Sequence, residues 1–349
     1  MKVFIAFDVY KSNPYVSLLT RSLSECGVTV FPLRPGRLSL LHALRHHGVP
    51  AIVHVQWPTE FISNRSTLFS VLRFLLFFSQ CILLRLVGAR FVWTVHNLLR
   101  HERKQVGWEL FASKVFARFV SRLIVHCPSA VGIVSSAYCV GAGKISVVPI
   151  AEYGSYYPQP PDKKTARTIL GIQNADFVYL SFGMIREYKG VDALMRCFTH
   201  HRDPRSRLIV LGLPPSSHVR CALFEIARDN PNISFIPEFV DNESLIAYIS
   251  ASDVVVLPYT SVLTSSAPML ASSVGRPMIV SDAGCLQDLP DSFAIHFPAG
   301  NDEALQSALE TARLAPLDRM GRAAIEFASK LTWSDLAVQT RNVYLKVLN

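Results

Sequence analysis

Two short segments of the sequence carry the residue types that a diphosphate needs. The first, SFGMIREYKG at residues 181–190, places Arg186 and Lys189 directly after an apolar run that predicts a strand. The second, PYTSVLTSS at residues 258–266, follows another such run and ends in three consecutive hydroxyls. Arginine forks onto phosphate oxygens, and lysine supplies a point charge. We interpret the two segments as a diphosphate site, for which the leaving group of a nucleotide sugar is the obvious ligand.

Each segment has further features that favour an anion. Gly183 follows the first strand and permits close approach of the backbone to a ligand. Gly190 precedes a predicted helix, whose N-terminal amides attract negative charge. Thr264, Ser265 and Ser266 precede a second predicted helix, where their hydroxyls and amides either hold a phosphate or only cap the helix. For both segments the alternative is an ordinary solvated loop in front of a helix.

The elements that must position these residues alternate in type along the chain. Short apolar runs are separated by segments of helical periodicity, and this alternation restarts after residue 166. A βαβ series of this kind predicts a parallel sheet with helices on both faces. We therefore predict two Rossmann-like α/β domains that face each other across a cleft. They are a first domain at residues 1–152, a proline-rich linker at 153–166, a second domain at 167–330, and a C-terminal helix at 331–349.

Composition limits the class of protein. The 349 residues carry a formal charge of +9 and are half hydrophobic, which suffices for two buried cores. The basic residues form no run interleaved with aromatics, so we predict no nucleic-acid partner. Seven cysteines without metal-binding spacing indicate a reducing compartment and no structural zinc. Charge alone leaves open a soluble basic enzyme and a protein that meets anionic lipids or substrates.

The apolar stretch at residues 66–87 is interrupted by Arg73 and Arg85. A membrane-spanning helix needs about 20 consecutive apolar residues, so we reject a span. Two alternatives remain: a helix buried in the protein, and a helix whose apolar face lies in the lipid interface with its arginines at the headgroups. The first apolar run, at residues 1–8, is too short for a signal peptide. We expect a cytoplasmic protein that attaches peripherally to the inner face of the membrane.

Three segments, taken in order, resemble the GT-B glycosyltransferases and in particular their group 1 C-terminal domain. They are SFGMIREYKGVDALM, FIPEFVDNESLIAYISASDVVVLPY and TSSAPMLASSVGRPMIVSDAG, and the resemblance covers nearly the whole chain. It implies that the domain at residues 1–152 binds the acceptor, that the domain at 167–330 binds the nucleotide sugar, and that the C-terminal helix packs back on the first domain. It also implies that Arg186 and Lys189 hold the donor diphosphate and that the segment around Glu238 borders the nucleotide base. We assign Gly183, Tyr259 and the hydroxyls of residues 264–266 to the same donor site. The resemblance also implies a metal-independent reaction without a cofactor, in which a UDP- or GDP-sugar is the substrate.

One departure from the family pattern concerns the mechanism. The common pattern has two glutamates separated by seven residues, which flank the donor sugar and ribose, whereas the matching positions here are Val262 and Leu270. The TSSAPMLA segment is instead similar to bacterial exopolysaccharide transferases with T-S-G-S-type motifs, with Ser266 in place of the glycine. Several of those enzymes form β-linkages of mannose, glucose or glucuronate. The resemblance therefore favours inversion of the anomeric centre over retention.

The N-terminal half supplies candidates for a catalytic base. HVQWPTE at residues 54–60 and TVHNLLRHE at 94–102 each follow a predicted strand, and the second is similar to the T-x-H-N-x-x-x-H-E segment of the exopolysaccharide enzymes. An inverting transfer needs a carboxylate to accept the proton of the acceptor hydroxyl. Glu102 is the first candidate, and Asp8 and Glu60 are the alternatives. We expect His101 to orient this carboxylate or bind phosphate, and His96 to hydrogen-bond the donor.

Each of these roles has a structural alternative, since Glu102 can simply pair with a neighbouring arginine and His96 can satisfy backbone groups alone. To the acceptor or membrane surface we assign Asn13, Trp57, Glu60, Arg73 and Arg85. The expected function is transfer of a hexosyl or glucuronosyl residue from a nucleotide sugar to a lipid-linked saccharide or an oligosaccharide in exopolysaccharide or glycan biosynthesis. Because the glutamate pair is missing, a catalytically inactive GT-B-like nucleotide-sugar-binding or partner subunit is the alternative.

Overall fold

The computed structural model describes residues 1–6, 14–33, 36–59, 66–99, 105–201 and 203–349. The chain forms two units, of which the first is Met1–Ile150 with Thr332–Asn349 and the second is Ala151–Leu331. Within the described ranges each unit contains one six-stranded sheet, and the strand pairs in both sheets are parallel. The predicted α/β class with two parallel sheets is confirmed.

The first unit has the sheet order β2-β1-β3-β4-β5-β6. Its strands are β1 (Lys2–Ala6), β2 (Thr29–Leu33), β3 (Ile52–Val55), β4 (Arg90–Thr94), β5 (Arg122–Val125) and β6 (Ile145–Val147). The described helices that follow them are α1 (Tyr15–Glu25), α2 (Ser39–His47), α3 (Thr67–Leu86), α4 (Val106–Phe119) and α5 (Ser129–Tyr138). A strand covered on both faces needs apolar residues at nearly every position, which explains the continuous run FVWT in β4.

The second unit has the sheet order β12-β11-β10-β7-β8-β9. Its strands are β7 (Phe177–Phe182), β8 (Ser206–Leu211), β9 (Ile233–Ile236), β10 (Val254–Leu257), β11 (Met278–Ser281) and β12 (Ala294–Phe297). Its helices are α6 (Lys163–Leu170), α7 (Val191–Thr199), α8 (Ser217–Arg228), α9 (Asn242–Ala251), α10 (Ala267–Ser273), α11 (Asp302–Leu314) and α12 (Leu317–Ser329). Strands β7 to β9 run outward in one direction and β10 to β12 in the other, so the order reverses between β7 and β10.

Helix α6 begins inside the segment that the sequence predicts to be a linker. The side chain of Asp162 accepts a hydrogen bond from the Thr165 amide at 3.0 Å, and this cap starts the helix at Lys163. The three prolines of the segment all precede Asp162. Residues 163–166 are therefore helical, and irregular structure is confined to the proline-containing part.

The last helix, α13 (Trp333–Leu348), returns to the first unit after the whole second unit has been completed. Thr332 caps it by accepting from the Asp335 amide at 3.0 Å. The helix packs on α1 and buries Trp333 and Tyr344. The first unit is thus assembled from two separate stretches of sequence.

Candidate functional site

The two predicted diphosphate segments lie side by side in the second unit. Their strands, β7 and β10, are paired neighbours at the centre of the sheet. The Thr260 amide donates to the Tyr188 carbonyl at 2.7 Å, and the rings of Tyr188 and Tyr259 meet edge-on with their centroids 5.9 Å apart. Ligands of open α/β sheets bind outside the carboxyl ends of the strands where the strand order reverses. The two loops occupy that position.

Two glycines permit this close arrangement. Gly190 has a φ of +61°, and a Cβ at this position would lie 2.2 Å from the carbonyl oxygen of Pro258. Gly183 has a φ of +98°, and a Cβ there would lie 3.0 Å from Lys189 Nζ. Only glycine adopts such backbone angles at low cost. The absence of side chains at these positions therefore brings the two loops together and leaves room for the lysine head.

Lys189 is the cation at the centre of the site. Its Nζ lies over the ring of Tyr259, 5.4 Å from the centroid. Burial, and after it the nearby positive charge of Arg186, lowers the pKa of Lys189 to about 8. Among the described residues, neither cation forms an ion pair with a carboxylate. Two neighbouring cations without a counter-charge favour binding of an anion.

Two buried hydroxyls of the second loop, one of them on the ring below Lys189, lack hydrogen-bond partners among the described residues. Tyr259 is 1% exposed, and its hydroxyl lies near Ser265, yet no described atom is placed to complete a hydrogen bond with it. Thr264 Oγ1 is likewise buried without a partner in the described part of the chain. Leaving a buried donor or acceptor unsatisfied costs about 1–3 kcal/mol. A ligand that hydrogen-bonds these hydroxyls would recover that cost.

The hydroxyl cluster caps its helix differently from the prediction. Ser265 Oγ accepts from the Ala267 amide at 3.3 Å, whereas Ser266 is exposed and makes no side-chain bond to the start of α10. Thr264 makes no capping bond because its hydroxyl faces the buried side. Of the three hydroxyls, only Ser265 caps α10.

Apolar residues occupy the two positions at which the family pattern has glutamates. Leu270 is buried in α10. The carbonyl oxygen of Val262 would lie 1.6 Å from a Cβ at Gly284, so this loop packs directly on the backbone after β11. Glu238, which follows β9, is exposed, and its charge adds to burial in raising the pKa of Tyr248. Glu238 thus supplies a carboxylate after β9, while positions 262 and 270 supply none.

In the first unit, buried histidines lie at or just beyond the ends of neighbouring strands. His54 Nδ1 is 2.6 Å from the Tyr344 hydroxyl, and its Nε2 is 2.7 Å from Thr94 Oγ1. His96 Nε2 donates to Gln56 Oε1 at 2.8 Å. These contacts link strands β3 and β4 to helix α13. His96 thus bonds a side-chain amide through Nε2, and its contact with the donor stays a prediction.

The third histidine, His126, follows β5, and its Nδ1 donates to the Val148 carbonyl at 2.8 Å. Burial lowers the pKa of His126 to about 4 and of His54 to about 3, and it holds the pKa of His96 well below its usual value. All three rings are therefore neutral near pH 7. In this state they act as hydrogen-bonding groups.

Of the residues assigned to the acceptor surface, Trp57 stacks on His96 with the ring centroids 4.4 Å apart. Five predicted site residues lie outside the described ranges, and no structure is given for Asp8, Asn13, Glu60, His101 or Glu102.

The sequence did not single out Gln56, His126 or Tyr344. A histidine at the end of an otherwise apolar run, as in RLIVH, was the available signal for His126.

The remaining two candidates, Arg73 and Arg85, lie on α3. In the described part of the chain this is the one helix long and apolar enough to cross a bilayer, with a mean hydropathy of 1.9. One face packs inside the unit, where Phe77 meets Phe116 with their centroids 5.5 Å apart. The opposite face exposes large apolar side chains. Burial therefore holds for one side of the helix, and a contact of the other side with the lipid interface stays a prediction.

Comparison with known proteins agrees with this architecture. Residues 176–312 match the family described as glycosyl transferases group 1. The chain is 24% identical over 310 residues to the GDP-mannose:glycolipid 4-beta-D-mannosyltransferase of Xanthomonas campestris, covering 87% of this chain and 81% of that protein.

Two solved structures share the fold over almost their full length. Sucrose-phosphate synthase from Thermosynechococcus elongatus has a TM-score of 0.79 at 17% identity, covering 99% of this chain and 98% of its own. HepE of Anabaena, solved with UDP and glucose, has a TM-score of 0.75 at 14% identity, covering 99% of this chain and 100% of its own. The chain therefore has the GT-B fold, and residues 176–312 of its second unit match a group 1 glycosyltransferase domain.

Proposed function

We propose that the chain transfers a hexosyl or glucuronosyl residue from a nucleoside-diphosphate sugar to a lipid-linked saccharide, with inversion, in exopolysaccharide or glycan biosynthesis. The observation that supports this most is the state of Lys189. It is a desolvated cation beside Arg186 without a carboxylate partner among the described residues, next to the unsatisfied hydroxyl of Tyr259. A diphosphate supplies the negative charge and the acceptor oxygens that this site lacks.

The donor is a UDP- or GDP-sugar. HepE was solved with UDP and glucose, and the Xanthomonas relative is named for GDP-mannose, so these two nucleotides are the first to test. The loops around Lys189 grip the diphosphate, which both donors share. The nucleotide base is bound by a different part of the unit, and our candidate for that contact is the exposed loop after β9 that carries Glu238.

In the reaction, an acceptor hydroxyl oxygen attacks the anomeric carbon while the bond from that carbon to the diphosphate oxygen breaks. The hydroxyl proton passes to a carboxylate, for which Glu102 is our candidate and Asp8 and Glu60 are the alternatives. The negative charge on the departing diphosphate is stabilised by Arg186 and Lys189. These steps require neither a metal nor a cofactor.

The acceptor is lipid-linked, and the protein attaches peripherally to the inner face of the membrane. The relative named above acts on a glycolipid. The exposed apolar face of α3, with Arg73 and Arg85 on the same helix, is our candidate for the surface that meets the lipid. An interfacial helix of this kind lies along the bilayer surface and does not cross it.

The donor site is tested by titrating UDP and GDP into Arg186→Ala and Lys189→Ala in a calorimeter. Each substitution removes a charge-assisted hydrogen bond, so we expect binding to weaken by about 1–3 kcal/mol. Arg228→Ala is the matched control, because Arg228 is exposed and already paired with Glu225. Wild-type affinity in both site variants would refute the assignment, and transfer to an acceptor by the wild type excludes a non-catalytic subunit.

A further inference from the structure

The exposed face of α3 carries large apolar side chains from its first turn to its last. Opposite the buried side, the helix presents large side chains to solvent at Leu68, Phe69, Leu72, Leu75, Leu83 and Leu86. Leu68 is 66% exposed and Leu86 is 78% exposed. Monomeric soluble proteins rarely expose contiguous apolar patches of this extent without an interaction to cover them. The face is therefore suited to a partner that accepts apolar side chains.

Positive charge is concentrated in the same part of the chain. Residues 66–150 contain ten lysines and arginines but only two glutamates, so this segment accounts for +8 of the formal charge of +9. One of the two, Glu109, is buried. A partner that covers this region must accept positive charge together with apolar side chains.

Three of these cations bond carbonyls of two neighbouring segments, the end of α4 and the turn before β6, and Arg85 reaches the first from the last turn of α3. Arg85 donates from Nη1 to the Phe119 carbonyl, and its guanidinium lies over the Phe119 ring, 4.9 Å from the centroid. Lys144 Nζ donates to the Arg118 carbonyl at 2.8 Å. Arg122 Nη1 donates to the Gly143 carbonyl at 2.5 Å. We call Arg85, Arg122 and Lys144 the cation cluster.

Helix capping explains part of this arrangement. Phe119 is the last residue of α4, and cations near the carbonyl end of a helix are favourable. However, arginine carries five N–H donors and lysine three, and each member of the cluster uses one of them within the described residues. No described carboxylate pairs with any of the three. Burial, and after it the charge of Arg85, lowers the pKa of Lys144, as expected for a cation short of negative partners.

We propose that the cation cluster binds the phosphate groups of anionic phospholipids while the exposed face of α3 lies among the acyl chains. Arg85 lies in the same helical turn as the exposed side chains of Leu83 and Leu86, so phosphate and acyl chain would be met together. This juxtaposition of cations and apolar side chains is typical of interfacial helices. A second copy of the chain fits poorly, because it would bring the same positive charges face to face. The inference rests on the proposed membrane attachment and adds the lipid headgroup that is recognised.

The test is co-sedimentation with vesicles of phosphatidylcholine alone and of phosphatidylcholine mixed with phosphatidylglycerol. The test variant is Arg85→Gln/Arg122→Gln/Lys144→Gln, since glutamine keeps a donor for each carbonyl but removes the charge. Each basic residue near an anionic surface contributes about fivefold to binding. We therefore expect the variant to lose at least tenfold on the mixed vesicles and little on the neutral ones.

The control is Arg196→Gln/Arg220→Gln/Arg228→Gln, which makes the same change of net charge at exposed positions of the second unit. An equal loss in this control, or an equal loss on neutral vesicles, would overturn the proposal. The proposal would also be overturned if inorganic phosphate released the wild type from the mixed vesicles more than chloride does at equal ionic strength, because the cation cluster would then be a site for free phosphate. If the wild type binds no vesicle, the proposed membrane attachment is refuted. That outcome leaves the proposed donor site standing as long as the same protein binds UDP or GDP.

Discussion

The lowered pKa of Lys189 predicts that affinity for the donor diphosphate falls with rising pH. In the free protein, burial and Arg186 hold this pKa at about 8. A bound diphosphate favours the charged form, so binding above pH 8 must take up a proton. The fraction of free protein that carries the charge drops from nearly all at pH 7 to about a tenth at pH 9, which weakens binding by about 1.4 kcal/mol, or tenfold.

Lys189→Arg is the control that isolates this effect, because arginine stays charged across the whole range. Calorimetric titration of UDP or GDP at pH 7, 8 and 9 should give a tenfold loss for the wild type and a flat profile for the variant. Titration of the nucleotide itself affects both proteins equally and cancels in the comparison. At pH 9, measurements in two buffers of different ionisation enthalpy should also show proton uptake by the wild type alone. Parallel pH profiles would refute the reasoning.

Two further predictions concern the geometry and stability of each unit. Gly190→Ala should weaken UDP or GDP binding and lower the melting temperature, because the added Cβ would clash with the Pro258 carbonyl. The control is Gly171→Ala, where φ is +66° but no atom lies near the added Cβ, so the substitution carries only the backbone cost of about 1–2 kcal/mol. Equal effects of the two substitutions would contradict a role for the close approach. The buried histidines predict that stability is full above pH 6.5 and falls as the pH decreases toward 4, since the unfolded chain binds protons that folded His54 and His126 do not. Each histidine contributes about 1.4 kcal/mol per pH unit in that range, and a urea midpoint unchanged between pH 7.5 and 5 would refute this.

The parallel sheets were predictable because buried strands leave a strong local signal. Runs such as FVYLSF in β7 and VVVL in β10 are apolar at nearly every position, and helical periodicity separates them. The proximity of Arg186 and Lys189 to the hydroxyl cluster was predictable for a related reason. The carboxyl ends of parallel strands meet at one edge of a sheet, so residues that follow two central strands are brought together.

Other features depend on contacts that no local pattern encodes. The bond between His54 and Tyr344 joins residues 290 positions apart. Helix α3 is apolar on both faces, so hydropathy gives no indication of which face packs against α4. The sequence did not show which of residues 264–266 caps helix α10, because three adjacent hydroxyls are equally suited to that role by residue type. In each case the deciding factor is tertiary geometry.

The position of α13 has a consequence for biosynthesis. Translation completes all of the second unit before it reaches Trp333 and Tyr344, which the first unit buries in its own core. Domains generally fold as units during synthesis, with the N-terminal one first. Here the unit that begins the chain lacks part of its core until the ribosome has finished the other unit. A first unit still attached to the ribosome therefore lacks the packing of α13, whereas the second unit already has its whole sequence and is able to fold.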